Sequence, residues 1–248
     1  MPPIAIFTRR QRPQGLEFVC CLECNSGARP DEQVVAMLSR VLPDASDRGT
    51  KAEAEAAISA VANNNRDLLL EMMPNRNTDR RFLREREKLG KLGADIGGAL
   101  VASGPLLTDT MQRFGAKLAL ALHHHETGRP VPITGGVLVR WFSNYDLAHG
   151  TFPEEVFSFL GPSKTLRQGK FSVANQFEYA TAKDKDGEAY VSVHLATFGR
   201  SFATLAFVAE RLERLRAPPG RNIFQPGFLK RPRVKLPTLR TRARWSQD

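Results

Sequence analysis

Apolar residues recur at helical spacing through the first half of the chain and alternate through much of the second. Val34, Val35, Leu38 and Val41 fall on one helical face. Pro30 with Asp31 and Glu32 beside it predicts that this helix opens there, because proline lacks an amide that the first turn does not use and carboxylates suit the positive helix end. Pro43 ends the run. From about residue 50 to 128 the pattern stays helical. "TKAEAEAAISAVANN" has a capping residue at Thr50, "NRDLLLEMM" continues it, and "TDRRFLREREKLGKLG" has Asp79 near its start and Gly90 and Gly93 near its end. In "PLLTDTMQRFGAKLALALHHHETG", Leu106, Leu107, Met111, Phe114, Leu118, Ala121 and Leu122 form one stripe, and Gly128 is placed to close the helix.

After "RPVPIT" the period changes. "GGVLVRWFSN" is rich in β-branched and aromatic residues, "KFSVANQFEYATAK" alternates in part, and "KDGEAYVSVHLATF" follows a Lys185-Asp186-Gly187 turn, which predicts a hairpin. "SFATLAFVAERL" fits a last strand or a helix. Helices first and an antiparallel sheet after, with no alternating βαβ rhythm, predict an α+β fold. The expected organisation is a head over residues 1–45, an α+β domain over 46–216 (helical 46–128, β-containing 129–216) and a Pro/Arg-rich basic tail over 217–248. The tail composition predicts an extended or disordered segment.

The 248 residues are 42% hydrophobic, enough to bury a core. No apolar run approaches the roughly 20 residues of a spanning helix, and no charged-then-apolar leader is visible, so a cytoplasmic protein without a membrane partner is expected. The net charge of +10 is unevenly spread. From Arg211 onward there are eleven Lys and Arg against Glu213 and Asp248, a surplus of nine in the last 38 residues. The three cysteines, Cys20, Cys21 and Cys24, lie within five residues, so a disulfide framework with the rest of the chain is excluded. Reduced thiols or a metal site remain. Only Cys21 and Cys24 have ligand spacing, since the vicinal Cys20 and Cys21 point to opposite sides of an extended chain.

The run "PPIAIFTRRQRPQGLEFVCCLECNSGARPDEQVVAMLSRV" resembles the second half of bacterial HNH-type (ββα-metal) endonuclease domains, in which a first Cys-x-x-Cys and an acidic residue with histidine precede two prolines and a "GLEF…CxxCNxG" segment. The resemblance is good over these 40 residues, and "KLALALHHHETGRPVP" with "GGVLVRWFSN" looks like the region that accompanies such heads. It implies a zinc-knuckle head, with a structural Zn²⁺ held in part by Cys21 and Cys24. It also implies a catalytic Mg²⁺ or other divalent cation near Asn25, and phosphodiester hydrolysis in which a histidine polarises the attacking water. Pro2 and Pro3 match the prolines that follow that histidine. The histidine itself and the first Cys-x-x-Cys are missing from this sequence. Either the reading frame starts further upstream, or this is a shortened relative that no longer cuts, and on both readings hydrolysis is expected to be weak or absent. Asn25 fits a turn residue ahead of Gly27 equally well.

The remaining chemistry is sparse. His123, His124 and His125 spread over about 200° of a helix and do not form one chelating face; they read as polar residues at a helix C-terminus, where an imidazolium suits the dipole. Arg9, Arg10 and Arg12 beside the cysteines, and Arg231, Arg233, Lys235, Arg240, Arg242 and Arg244 interleaved with Phe224, Phe228 and Trp245, have the character of a sequence-indifferent DNA or RNA grip. A solvated cationic tail, or one docked on an acidic partner, is the alternative. No phosphate loop or nucleophile motif is present. The expected function is therefore a nucleic-acid-binding relative of HNH endonucleases, with a non-catalytic protein–protein interaction protein as the alternative.

Overall fold

The change of hydrophobic period near residue 129 becomes a change of layer. The computed structural model describes residues 2–7, 13–18, 20–40, 51–73, 100–168, 171–173 and 176–230. Its helices are α1 (Leu22–Arg40), α2 (Lys51–Asn64), α3 (Arg66–Met72), α4 (Pro105–Thr127) and the short α5 (Asn144–Ala148). Its main strands are β1 (Gly136–Ser143), β5 (Glu178–Asp186), β6 (Ala189–Phe198) and β7 (Phe202–Ala209). The two-residue strands are β2 (Lys164–Thr165), β3 (Arg167–Gln168), β4 (Phe171–Ser172) and β8 (Ile223–Phe224). The fold is mixed α+β, as predicted. A six-stranded antiparallel sheet has the order β2-β5-β6-β7-β1-β8, and β3 pairs with β4 separately. The very short edge strands leave little backbone open for pairing with another chain.

The predicted hairpin is β5–β6. Asp186 pairs with Ala189, so Gly187 and Glu188 form a two-residue loop, and Gly187 takes the positive φ of 63° that such a turn favours. "SFATLAFVAERL" is strand: β7 lies between β6 and β1 and is buried on both faces, which erases the alternation that would have announced it. Val137, Val139, Ala206 and Val208 face α4, whereas Phe142, Leu195, Ala203 and Leu205 face the segment 144–160 through Val156, Leu147 and Phe152. Gly115 brings α4 close to the sheet; a Cβ there would lie 2.7 Å from Val139 Cγ1.

At its N-terminus α4 has Gly104 as cap, with no side chain to offer. Glu71 of α3 replaces it, accepting from the amides of Leu106 (3.1 Å) and Leu107 (3.0 Å). A side chain at Gly104 would collide with that carboxylate, at 2.0 Å from Oε1. Gly128 closes the helix in the left-handed conformation, as its position predicts, donating to the carbonyl of His124 at 2.8 Å.

Two expectations are corrected. First, α1 begins at Leu22 instead of Pro30, and Pro30 lies inside it. The missing proline amide is tolerated because the early turns are anchored from outside: Ala28 is buried with Phe228, and a Cβ on Gly27 would be 2.2 Å from the carbonyl oxygen of Leu229. Second, residues 217–230, read from composition as part of an extended tail, are folded. β8 pairs with β1, and Phe224, Phe228 and Leu229 are buried against Ala116, Ala119 and Val137. Three well-placed apolar residues are enough to seat a Pro-rich segment on an existing sheet edge. The head also joins the main core: Ile6, Phe7 and Leu16 pack with Val34, Met37, Met111 and Phe114. Among the described residues before Leu22 there is one 3-10 turn, Ile4–Ile6, and no strand.

Because Glu71 is buried and serves two otherwise unpaired amides, Glu71→Ala is expected to cost about 1–3 kcal/mol. Urea denaturation followed by circular dichroism measures this; an unchanged midpoint would show that the α4 amides find other partners.

Candidate functional site

The Cys-x-x-Cys straddles the start of α1. Cys21 stands at the cap, where its Sγ accepts the amide of Cys24 at 3.3 Å. Cys21 is exposed and Cys24 half-buried. Contact with the Cys24 thiol and its amide holds the Cys21 thiol below its ordinary value, whereas burial pushes Cys24 up to about 11. Asn25 occupies the first turn of the helix, exposed, its own amide bonded to the Cys21 carbonyl at 3.0 Å. It is helical, so the turn role considered for it does not apply.

A groove of about 1460 Å³ runs between α1, α2, α4 and the segments 2–5 and 226–229. Pro2, Pro3, Cys24, Asn25, Arg29 and His124 all line it. Its apolar wall includes Phe18, Leu120 and Phe228, with the Phe18 and His124 rings 5.8 Å apart edge to face. The groove charges largely answer one another: Lys117 pairs with Glu32 at 2.5 Å and Arg40 with Glu53 at 3.1 Å. Arg29 has no ion-pair partner among the described residues and is the cation available to an incoming anion. The candidate nucleic-acid residues Arg9, Arg10, Arg12, Arg231, Arg233, Lys235, Arg240, Arg242 and Arg244 lie outside the described residues.

A structural zinc takes four ligands, and the two sulfurs are half of such a set. Among the described residues no group of three or more His, Cys, Asp and Glu side chains that could hold a metal forms around them or around Asn25. The residues described thus do not by themselves fit the Zn²⁺ or the catalytic divalent cation that the resemblance implies.

A second polar cluster, missed in the sequence, is buried between α4 and the sheet. His123 Nδ1 is 2.7 Å from Ser192 Oγ, and Ser192 Oγ is 2.8 Å from His194 Nε2. His123 Nε2 is 3.6 Å from Glu210 Oε1, and Glu210 Oε2 accepts the Tyr190 amide at 2.9 Å and faces the Arg129 guanidinium at 3.4 Å. With both imidazoles neutral, one arrangement fills the two short hydrogen bonds in a single direction and leaves His123 Nε2 and Glu210 Oε1, 3.6 Å apart, without a hydrogen bond. His194 Nε2–H donates to Ser192, Ser192 donates to His123 Nδ1, and His123 Nε2–H points at the Glu210 carboxylate. His194 Nδ1, which has no partner, is then a bare lone pair, cheaper to bury than an orphan N–H. Burial drives His123 below its ordinary value despite the carboxylate beside it, and burial with the neighbouring His123 holds His194 down to about 3. This corrects the reading of the histidine triplet: His124 and His125 are exposed at the helix end, but His123 is a fully buried neutral group. The order Glu210, His123, Ser192 has the sequence of an acid, base and nucleophile. With Ser192 only 1% exposed and its hydroxyl engaged on both sides, however, it is a packing device and not an acylation site.

The unfolded chain protonates its histidines near pH 6.5, whereas the folded one keeps His123 and His194 neutral. Their contribution is therefore complete above about pH 6.5 and is lost below it, for His194 progressively as pH falls toward about 3, at up to about 1.4 kcal/mol per pH unit. Denaturation midpoints measured between pH 7 and 4 are expected to drop more steeply for the native chain than for His194→Gln. Parallel curves would remove the relay as the cause. Compared with protein-family models, curated proteins and solved structures, the chain matches none.

Proposed function

We propose that the chain is a cytoplasmic nucleic-acid-binding protein related to HNH endonucleases, with phosphodiester hydrolysis weak or absent in this form. One observation carries the reading. Pro2, Pro3, Cys24 and Asn25, the positions picked out by the HNH resemblance, line one groove, with the Cys21 sulfur against Cys24. Nothing in secondary structure alone requires residues 2–3 and 24–25 to converge on one groove. Affinity would come chiefly from the basic C-terminal residues, with Arg29 the cation inside the groove.

A non-catalytic protein–protein interaction protein is the second reading, favoured by the internal pairing of Lys117 and Arg40 with Glu32 and Glu53. A groove whose cations are already neutralised beside an apolar wall suits a peptide better than a phosphate backbone. No described helix is long and apolar enough to cross a membrane.

Retention on immobilised duplex DNA across a salt series separates the two. The nucleic-acid reading expects retention at low salt that weakens steeply as salt rises. Changing Arg231, Arg233, Lys235, Arg240, Arg242 and Arg244 to Gln is expected to flatten the log–log slope by up to about 5, at roughly 0.9 per phosphate contact. Plasmid incubated with Mg²⁺ should stay intact. No retention even at low salt would overturn the reading in favour of a protein partner.

A further inference from the structure

We propose that Cys21 and Cys24 form a reversible thiol–disulfide couple whose substrate class is small-molecule disulfides. The inference stands whether or not the groove binds nucleic acid. It starts from the misfit at the helix start: the Cys21 sulfur lies 3.3 Å from the Cys24 amide, with no further ligand group around the two cysteines among the described residues. Such a pair retains the chemistry available to two neighbouring thiols alone.

The geometry suits bond formation. Helical positions three apart have Cα atoms about 5 Å from each other by the rise and radius of the α-helix. That lies inside the range of roughly 4.4–6.8 Å that disulfides span. Cys21 caps the helix and Cys24 is its third residue, so a bond between them closes a small loop at a helix end and needs no shift of α4 or the sheet. The two sulfurs differ in access. Cys21 is exposed and is the more accessible sulfur to an incoming disulfide, while Cys24 is half-buried and lines the groove. Cys20 is exposed too, but as a sequence neighbour it lacks this spacing, which makes it an internal control.

The step balances. Cys21, as thiolate, attacks one sulfur of a disulfide RSSR; the Cys21–SR bond forms, the S–S bond breaks, and RS⁻ leaves. Cys24 gives its proton to solvent and attacks the Cys21 sulfur, forming Cys21–Cys24 and releasing a second RS⁻. Both leaving thiolates take up protons. Two protein thiols are oxidised to one disulfide and one RSSR is reduced to two RSH.

The test uses the full chain equilibrated in glutathione buffers of increasing oxidised fraction, with EDTA present, then trapped by alkylation and weighed intact. The expected product is the chain lighter by two hydrogens, with Cys20 still alkylated and with full reversal in dithiothreitol. Cys20→Ser should behave in the same way. Cys21→Ser and Cys24→Ser should each stop at a glutathione adduct, and circular dichroism of these variants checks that the fold is kept. If the native chain accumulates glutathione adducts on Cys20 and Cys21 without an internal bond, or resists oxidation as an alkylatable trithiol, the couple does not exist.

Discussion

The burial of α4 constrains everything around it. This helix lies against the sheet on one side and against α1 and α3 on others, so most of its polar groups must be answered by protein. Each end and the middle is answered by a different element. Glu71 receives the first amides, Asp31 of α1 meets Arg113 at 3.3 Å, and Ser192 of β6 meets His123. Leaving one member of such a pair alone in the interior costs several kcal/mol, more than the pair contributes. These contacts therefore act chiefly to specify one arrangement of α1, α3 and the sheet about a single rod. Apolar packing of Leu107, Met111, Phe114 and Leu118 supplies the larger share of the stabilisation.

The groove inherits its shape from that arrangement. One wall is α1, oriented by Asp31 and by the contact of Glu32 with Lys117; the other is α4. Its end is the folded segment 226–229, whose backbone lies so near Gly27 that no side chain fits between them. The Cys-x-x-Cys is thus fixed by residues from the helical half and from near the C-terminus. A solvated loop would have left the same thiols without a defined partner. The fixed helix start makes Cys21 and Cys24 unequal, and that asymmetry gives the pair its distinct chemistry.

How much of this was legible depended on how far apart the interacting residues lie. α4, β1 and the β5–β6 hairpin were readable because each has its own period and its own stop: Gly128 for the helix, Gly187 for the turn. The start of α1 was not, since "CLECNSGARP" carries every local sign of a loop and becomes helical through contacts with Phe228 and Leu229 some two hundred residues later. β7 was ambiguous because burial on both faces leaves no alternation to read. The seating of residues 217–230 turned on Phe224, Phe228 and Leu229, which composition averages into a Pro- and Arg-rich background. The histidine relay joins residues 69 apart in sequence, and no spacing rule connects them. At the groove, the resemblance brought Cys24 and Asn25 together with Pro2 and Pro3 in sequence terms. The neutral balance of the lining, by contrast, needed the pairing of Glu32 and Glu53 to be seen.

Nucleic acid at the groove between α1 and α4 is the claim on which the functional reading turns. Hydrogen exchange of the full chain, with and without a saturating single-stranded oligonucleotide at low salt, addresses it most directly. Occupancy of the groove predicts slowed exchange in residues 22–29 and 226–229, with the segment 144–160 on the opposite face of the sheet unchanged. Slowing confined to residues 231–248, with the groove segments exchanging as in the free protein, would contradict it.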